Sequence, residues 1–204
     1  MKKILSLIAV VGISGVVHAN TISAPSTLVG TGALNGNNAY SWGISIAVPT
    51  GQVVSSAQID FTSVTLTAAN ASGTGYLYTD LLNSQNPGVT TASDGDAAGD
   101  YWGTKFSGAN ITQLGTKFFA SVGTTLTWSY VLSAPQLAAL NSYLTAGSFN
   151  IGIDPDCHYN VGGLSFTYTL GNKNVPDVAT TAGLMVLALA AVEVFRRQFV
   201  SAKA

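Results

Sequence analysis

Charge is scarce in this chain: of 204 residues, 8 are Lys or Arg and 9 are Asp or Glu, for a formal net charge of −1. The scarcity is sharper inside. Residues 20–174 contain no arginine and no glutamate, and seven aspartates stand against three lysines, Lys105, Lys117 and Lys173, a balance of −4. A surface of that sign repels phosphate, which excludes nucleic acid as a partner. The single cysteine, Cys157, excludes an intrachain disulfide. His158 is the only histidine beyond the first 20 residues, so any serine triad would have to use it. No Gly-x-Ser-x-Gly elbow, phosphate loop or dinucleotide fingerprint occurs. A glycosidase pair would have to be built from aspartates alone. The chain therefore reads as non-enzymatic.

What is present lies first at the two ends. Lys2 and Lys3 precede an apolar run from Ile4 to Val17, and Val17-His18-Ala19 follows. This is the pattern of a secretory leader cut by signal peptidase after Ala19, which leaves a body at 20–174. At the other end, Ala179–Phe195 is apolar apart from Glu193. As a helix it would reach about 25 Å, enough to cross the hydrocarbon of an inner membrane. Arg196 and Arg197 then hold the tail on the cytoplasmic side, with the body across the membrane.

Val175-Pro176-Asp177, the apolar span and the closing Arg196-Arg197 pair together resemble the C-terminal sorting signals read by exosortases. The tripeptide is nearest to the VPDSG-CTERM variant of the PEP-CTERM type, with Val178-Ala179 where that variant often has Ser-Gly. The resemblance covers residues 175–204. It implies a Gram-negative bacterium that makes an extracellular polymer, an exosortase as processing partner, and a body released to the cell surface or matrix.

Within the body, apolar residues recur at period two, the signature of half-buried strands. Ile44, Ile46 and Val48 alternate, as do Ile59 and Phe61 before the phase slips at Thr62-Ser63 and resumes at Val64 and Leu66. The slip predicts a bulge. Leu126, Trp128, Tyr130 and Leu132 share a face, as do Phe149, Ile151 and Ile153, and then Leu164, Phe166, Tyr168 and Leu170. Further strands are expected near 75–82, 101–106 and 116–121. One short connecting helix is expected after Ser133, with Pro135 in its first turn, Leu137, Leu140 and Leu144 on its apolar side, and Gly147 past its end. About eight uneven strands predict a mainly β fold, an antiparallel two-sheet β-sandwich of jelly-roll type. The stretches GYLYTDLLN, GDYW, LAALNSYL and IGIDPDCHYN occur in an order similar to uncharacterised exported β-sandwich proteins with exosortase signals. Several of those continue the Asp-Cys-His loop with Asn-Asp-Gly, where this chain has Val161.

Two acidic stretches are candidate sites. In Asp154-Pro155-Asp156-Cys157-His158-Tyr159-Asn160, the oxygens of Asp154, Asp156 and Asn160 suit calcium, while Cys157 and His158 would suit zinc. A stiff brace is the third reading, with the aspartates accepting bonds from turn N–H groups and His158 bonded to one of them. The second stretch spaces Asp94, Asp96 and Asp100 so that they can wrap a calcium ion if Gly95 and Gly99 turn the loop; a plain solvated loop is the alternative. Tyr101 and Trp102 beside it offer a platform for a sugar ring, or a core contact. The functional expectation is a surface or matrix protein associated with extracellular polysaccharide, structural or adhesive. A calcium-stabilised carbohydrate-binding module is the alternative, and a secreted hydrolase the third.

Overall fold

The computed structural model describes residues 19–70, 73–95 and 99–173. Residues 1–18 of the expected leader, the Val175-Pro176-Asp177 tripeptide, the expected span, Arg196-Arg197 and Asp96 lie outside the described residues. Among the described residues no helix is long and apolar enough to cross a membrane.

The period-two segments form strands, and the strands form two antiparallel five-stranded sheets. The first sheet contains β1 (Ala19–Ser23), β2 (Gly30–Leu34), β4 (Gln52–Ala68), β8 (Thr125–Val131) and β10 (His158–Asn172). Its order is β1-β10-β4-β8, with β2 also paired to β10. The second holds β3 (Asn38–Ser45), β5 (Gly75–Leu82), β6 (Gly88–Ser93), β7 (Ile111–Phe119) and β9 (Ser148–Pro155), in the order β6-β3-β9-β5-β7. The phase slip in β4 is a bulge: pairing with β8 shifts register between Phe61 and Val64, and Ser63 takes a positive φ of 49°.

One face of each sheet turns inward. Ile59, Phe61, Val64, Leu66 and Phe166 from the first sheet meet Trp42, Leu77, Leu81, Ile151 and Ile153 from the second. Phe61 stacks on Trp128 with ring centroids 4.6 Å apart. Each such side chain contributes about 1.5–3 kcal/mol by leaving water. The expected helix is α2 (Ala134–Tyr143). Gln136 Oε1 accepts from the Ser133 N–H at 2.8 Å, and Leu140 and Leu144 enter the core.

Residues 101–106 depart from expectation: in place of a strand, Tyr101–Lys105 form a single helical turn, α1. Asp100 Oδ1 accepts from the Gly103 N–H at 3.0 Å, a local bond that competes with a sheet ladder. The strand expected near 48 also stops earlier, at Ser45, ahead of a turn in which the Gln52 N–H donates to the Pro49 carbonyl. Strands β1, β2 and β6 lack a clear apolar alternation; they lie at sheet margins, mostly exposed.

Candidate functional site

The alternation that sends Leu77 and Leu81 of β5 into the core sends Tyr76, Tyr78 and Asp80 to the outer face of the second sheet. Register then sets their neighbours. Asp80 lies opposite Gly152 of β9, Gly152 opposite Ser41 of β3, and Tyr78 opposite Asp154. Asp80 and Asp154 are therefore diagonal neighbours on one face.

Residues 99–106 cover this face. Trp102 is buried there with Ala39 and Leu82, and Tyr101, Phe106 and Ile111 pack around them. Only glycine fits beneath the indole, because a Cβ at position 152 would lie 2.8 Å from Trp102 Cδ1. The Tyr101 N–H donates to Asp154 Oδ2 at 2.7 Å. The two acidic stretches, more than 50 residues apart in the chain, thus meet at one place, joined by Asp80 from β5.

The carboxyls are deeply buried. Asp80 and Asp154 are each 0 % exposed. Neither oxygen of Asp80 receives a hydrogen bond, nor does Oδ1 of Asp154. The side chain that meets Asp80 is the Asp100 carboxyl, toward which Asp80 donates when it is protonated. Burial, reinforced by the charges of Asp100 and Asp154, pushes the Asp80 carboxyl up to about 8. Burial also raises Asp154, to about 7; the Tyr101 N–H opposes the shift, and Asp94, Asp156 and Asp100 add to it. No lysine is among the groups acting on either one. The Lys105 ammonium instead stands over the Tyr101 ring, 5.2 Å from its centroid. Among the described residues, no three histidine, cysteine or acidic side chains form a ready-made ion cage.

The other candidates are placed apart. Asp156 is half-buried beyond the end of β9, and its N–H donates to the Tyr76 carbonyl at 3.0 Å. His158 is exposed on β10, in the first sheet. Asn160, also on β10, accepts through Oδ1 from the Gly32 N–H at 2.6 Å. Cys157 is buried, and its thiol donates to the Thr74 carbonyl at 3.4 Å. Asp154 is braced by a backbone N–H from the distant 99–106 segment, not by its own turn. Tyr101 is half-buried and Trp102 is buried.

The exposed aromatics lie elsewhere. Tyr76 on β5 and Phe118 on β7 are register partners, 36 % and 49 % exposed, with ring centroids 5.1 Å apart. Tyr78 continues the strip at 6.3 Å from Tyr76 and leads toward the carboxyls. Burial pushes the Tyr78 phenol up to about 12, with Asp156 and Asp154 adding to the shift. Tyr76, Tyr78, Phe118 and Asp80 were not singled out from sequence. The signal was present: once Leu77 and Leu81 face the core, the i, i+2, i+4 set Tyr76, Tyr78 and Asp80 must share the opposite face. No known protein-family model matches the chain, and no curated protein is similar enough to count as a match.

Proposed function

We propose that this chain is an exported, non-enzymatic cell-surface or extracellular-matrix protein of a Gram-negative bacterium. Its jelly-roll-like body lies against extracellular polysaccharide in a structural or adhesive role. In this reading signal peptidase removes residues 1–19, the helix at about 179–195 holds the chain in the inner membrane, and an exosortase cuts near Val175-Pro176-Asp177. The observation behind the glycan contact is the exposed Tyr76–Phe118 pair on a two-strand platform. Exposed adjoining aromatics on a rigid sheet are a recognition feature, because their faces attract C–H edges of the kind a sugar ring presents. The Asp80–Asp154 cluster behind the strip favours a second reading, a carbohydrate-binding module stabilised by calcium.

Fractionation of the producing culture tests the first reading. The wild-type body is expected in the polysaccharide fraction, and Tyr76→Ser with Phe118→Ser is expected free in the medium. Wild-type protein that stays inside the cells overturns the export reading. A double variant that co-purifies with polysaccharide as strongly as the wild type overturns the glycan contact.

A further inference from the structure

The outer face of the second sheet carries a row that crosses three strands. Phe118 of β7 and Tyr76 of β5 are register partners. On the other side of Tyr76, β9 sets Asp154 opposite Tyr78 and Pro155 opposite Leu77, so Asp156 falls opposite Tyr76. The Asp156 N–H confirms that step by donating to the Tyr76 carbonyl at 3.0 Å. Opposed residues of a ladder share a face, so ring, ring and carboxyl stand side by side, about 5 Å from one strand to the next. Of the charges that act on the neighbouring Tyr78 phenol, Asp156 is the foremost. The body offers this row no cation of its own. Residues 20–174 hold no arginine and three lysines. Lys105 stands over Tyr101 at 5.2 Å, and Lys117 alternates to the opposite face of β7 and stands over Trp128 at 5.5 Å. Lys173 follows β10, in the first sheet.

We propose that the Tyr76–Phe118 strip, with Asp156 at its end, binds a polysaccharide that carries free amines, a cationic amino-sugar polymer. This inference rests on the glycan contact proposed above and names the class of glycan. An aromatic face attracts the C–H edge of any sugar, and the same negative face attracts an ammonium through its quadrupole. Lys105 and Lys117 show this pairing twice within the chain itself. A carboxylate one strand from Tyr76 adds a direct partner for a sugar ammonium, and that partner distinguishes three kinds of polymer. A uronic-acid polymer meets a negative ring face and a negative side chain with no lysine or arginine to pair it. A neutral polymer gains from Asp156 only a hydrogen bond. An amine-bearing polymer gains charge attraction from Asp156 and from the exposed rings together. Tyr78 and Thr116 continue the same face one step along the strands, so a second sugar unit has room beside the first.

The test uses the full-length chain in micelles of a detergent without a sugar headgroup, titrated by calorimetry with two oligosaccharides of equal length. One is an oligomer of glucosamine and the other is its fully N-acetylated counterpart, so they differ in charge and share a backbone. At about pH 5.5 a sugar amine holds its proton and an ordinary carboxylate has lost its own. The glucosamine oligomer is expected to bind about fivefold tighter or more, a preference that shrinks in about 1 M salt. Asp156→Asn should cut the preference to about twofold or less and leave the affinity for the neutral oligomer unchanged. Tyr76→Ser with Phe118→Ser should abolish both. Should Asp156→Asn fail to fold, Thr116→Lys serves in its place, because an ammonium at this exposed position beside Tyr78 repels the amine oligomer alone. Equal affinities for the two oligomers, both lost in the double variant, overturn the cationic class and leave the glycan contact standing. Binding of neither oligomer overturns this inference, and the culture fractionation then decides whether the strip contacts another polymer. An amine preference that persists in Asp156→Asn and in Thr116→Lys also overturns it, by placing the charge recognition elsewhere.

Discussion

Around Asp80, Asn150 and Asp154 the second sheet is buried on both faces, and there the two faces are built differently. On the inner side Trp42, Leu77, Leu81, Ile151 and Ile153 meet the other sheet in an apolar layer with aromatic stacking. On the outer side Ser41, Asp80, Asn150 and Asp154 are equally buried, under Trp102 and the loop residue Asn86. Among the described residues the inner layer holds no carboxyl, and its unpartnered buried groups include the Thr79 hydroxyl and Trp128 Nε1. The outer layer keeps Asp80, Asp154 Oδ1 and Asn150 Oδ1 without donors. Asn150 spends its own N–H groups on Ser41 Oγ and the Asn86 carbonyl, at 2.6 and 3.0 Å. The difference teaches that burial alone does not mark a core. One layer drives folding, and the other is held in place by the fold and costs it stability.

The strongest way to break this comparison is to damage the inner layer. Phe61→Ala removes a ring stacked on Trp128 and edge-on to Tyr130, and should cost about 3–5 kcal/mol in denaturant unfolding. A cost below about 1 kcal/mol would mean that the sheets are not joined by a continuous core.

A change of pH should come next. In chelator, Asp80 and Asp154 hold their protons up to about 8 and about 7 in the folded state, against 3.8 for an ordinary aspartate. The folded state therefore binds more protons between these values, and stability must fall as pH rises through that window. A loss of about 2 kcal/mol or more from about pH 5 to about pH 8 is expected. Asp80→Asn should flatten the slope. A wild-type stability that is level or rising over this range would show that the outer layer carries no buried acid.

The smallest effect should come from the seam between sheet and cover. Gly152→Ala pushes a methyl group to 2.8 Å from Trp102 and 3.1 Å from Leu82. We expect a loss of about 1–2 kcal/mol, with faster amide exchange at Tyr101, whose N–H is held by Asp154. Unchanged exchange at Tyr101 would show that Trp102 and the Asp154 contact are not coupled.

The inner layer was legible in the sequence because period two is a direct imprint of a sheet with one wet face. The runs at 59–66, 126–132, 149–153 and 164–170 read correctly, as did the bulge at Thr62-Ser63 and the helix after Ser133. The outer layer was illegible for a reason of the same kind. Asp80 sits where alternation expects a solvated residue, and only the cover at 99–106 turns that exposed position into a buried one. The cover itself read as a strand, because the aromatic residues Tyr101, Trp102 and Phe106 suit a pleated surface. The deciding bonds, Asp100 to Gly103 and Asp154 to Tyr101, are respectively too local and too remote for periodicity to detect. Asp154 and Asp100 each stand out within their own acidic stretch; the approach of the two stretches follows from the placement of 99–106 over the sheet.

The pairing of β1 with β10 has a consequence for the order in which the molecule can assemble. Ala19 to Ser23 lie against Thr169 to Ser165, so nearly the whole body separates the partners. β10 also stands between β1 and β4, and it carries β2 as well. The second sheet, by contrast, uses only residues from Asn38 to Pro155. A chain emerging from its N-terminus could therefore complete the second sheet while the first still lacked its central strand. Closing so long a loop makes the last step slow, on the millisecond-to-second scale of non-local β pairing. Until residues 158–172 arrive, Ile59, Phe61 and Leu66 have only part of their cover, and the half-built sandwich exposes the surface most prone to stick to another copy.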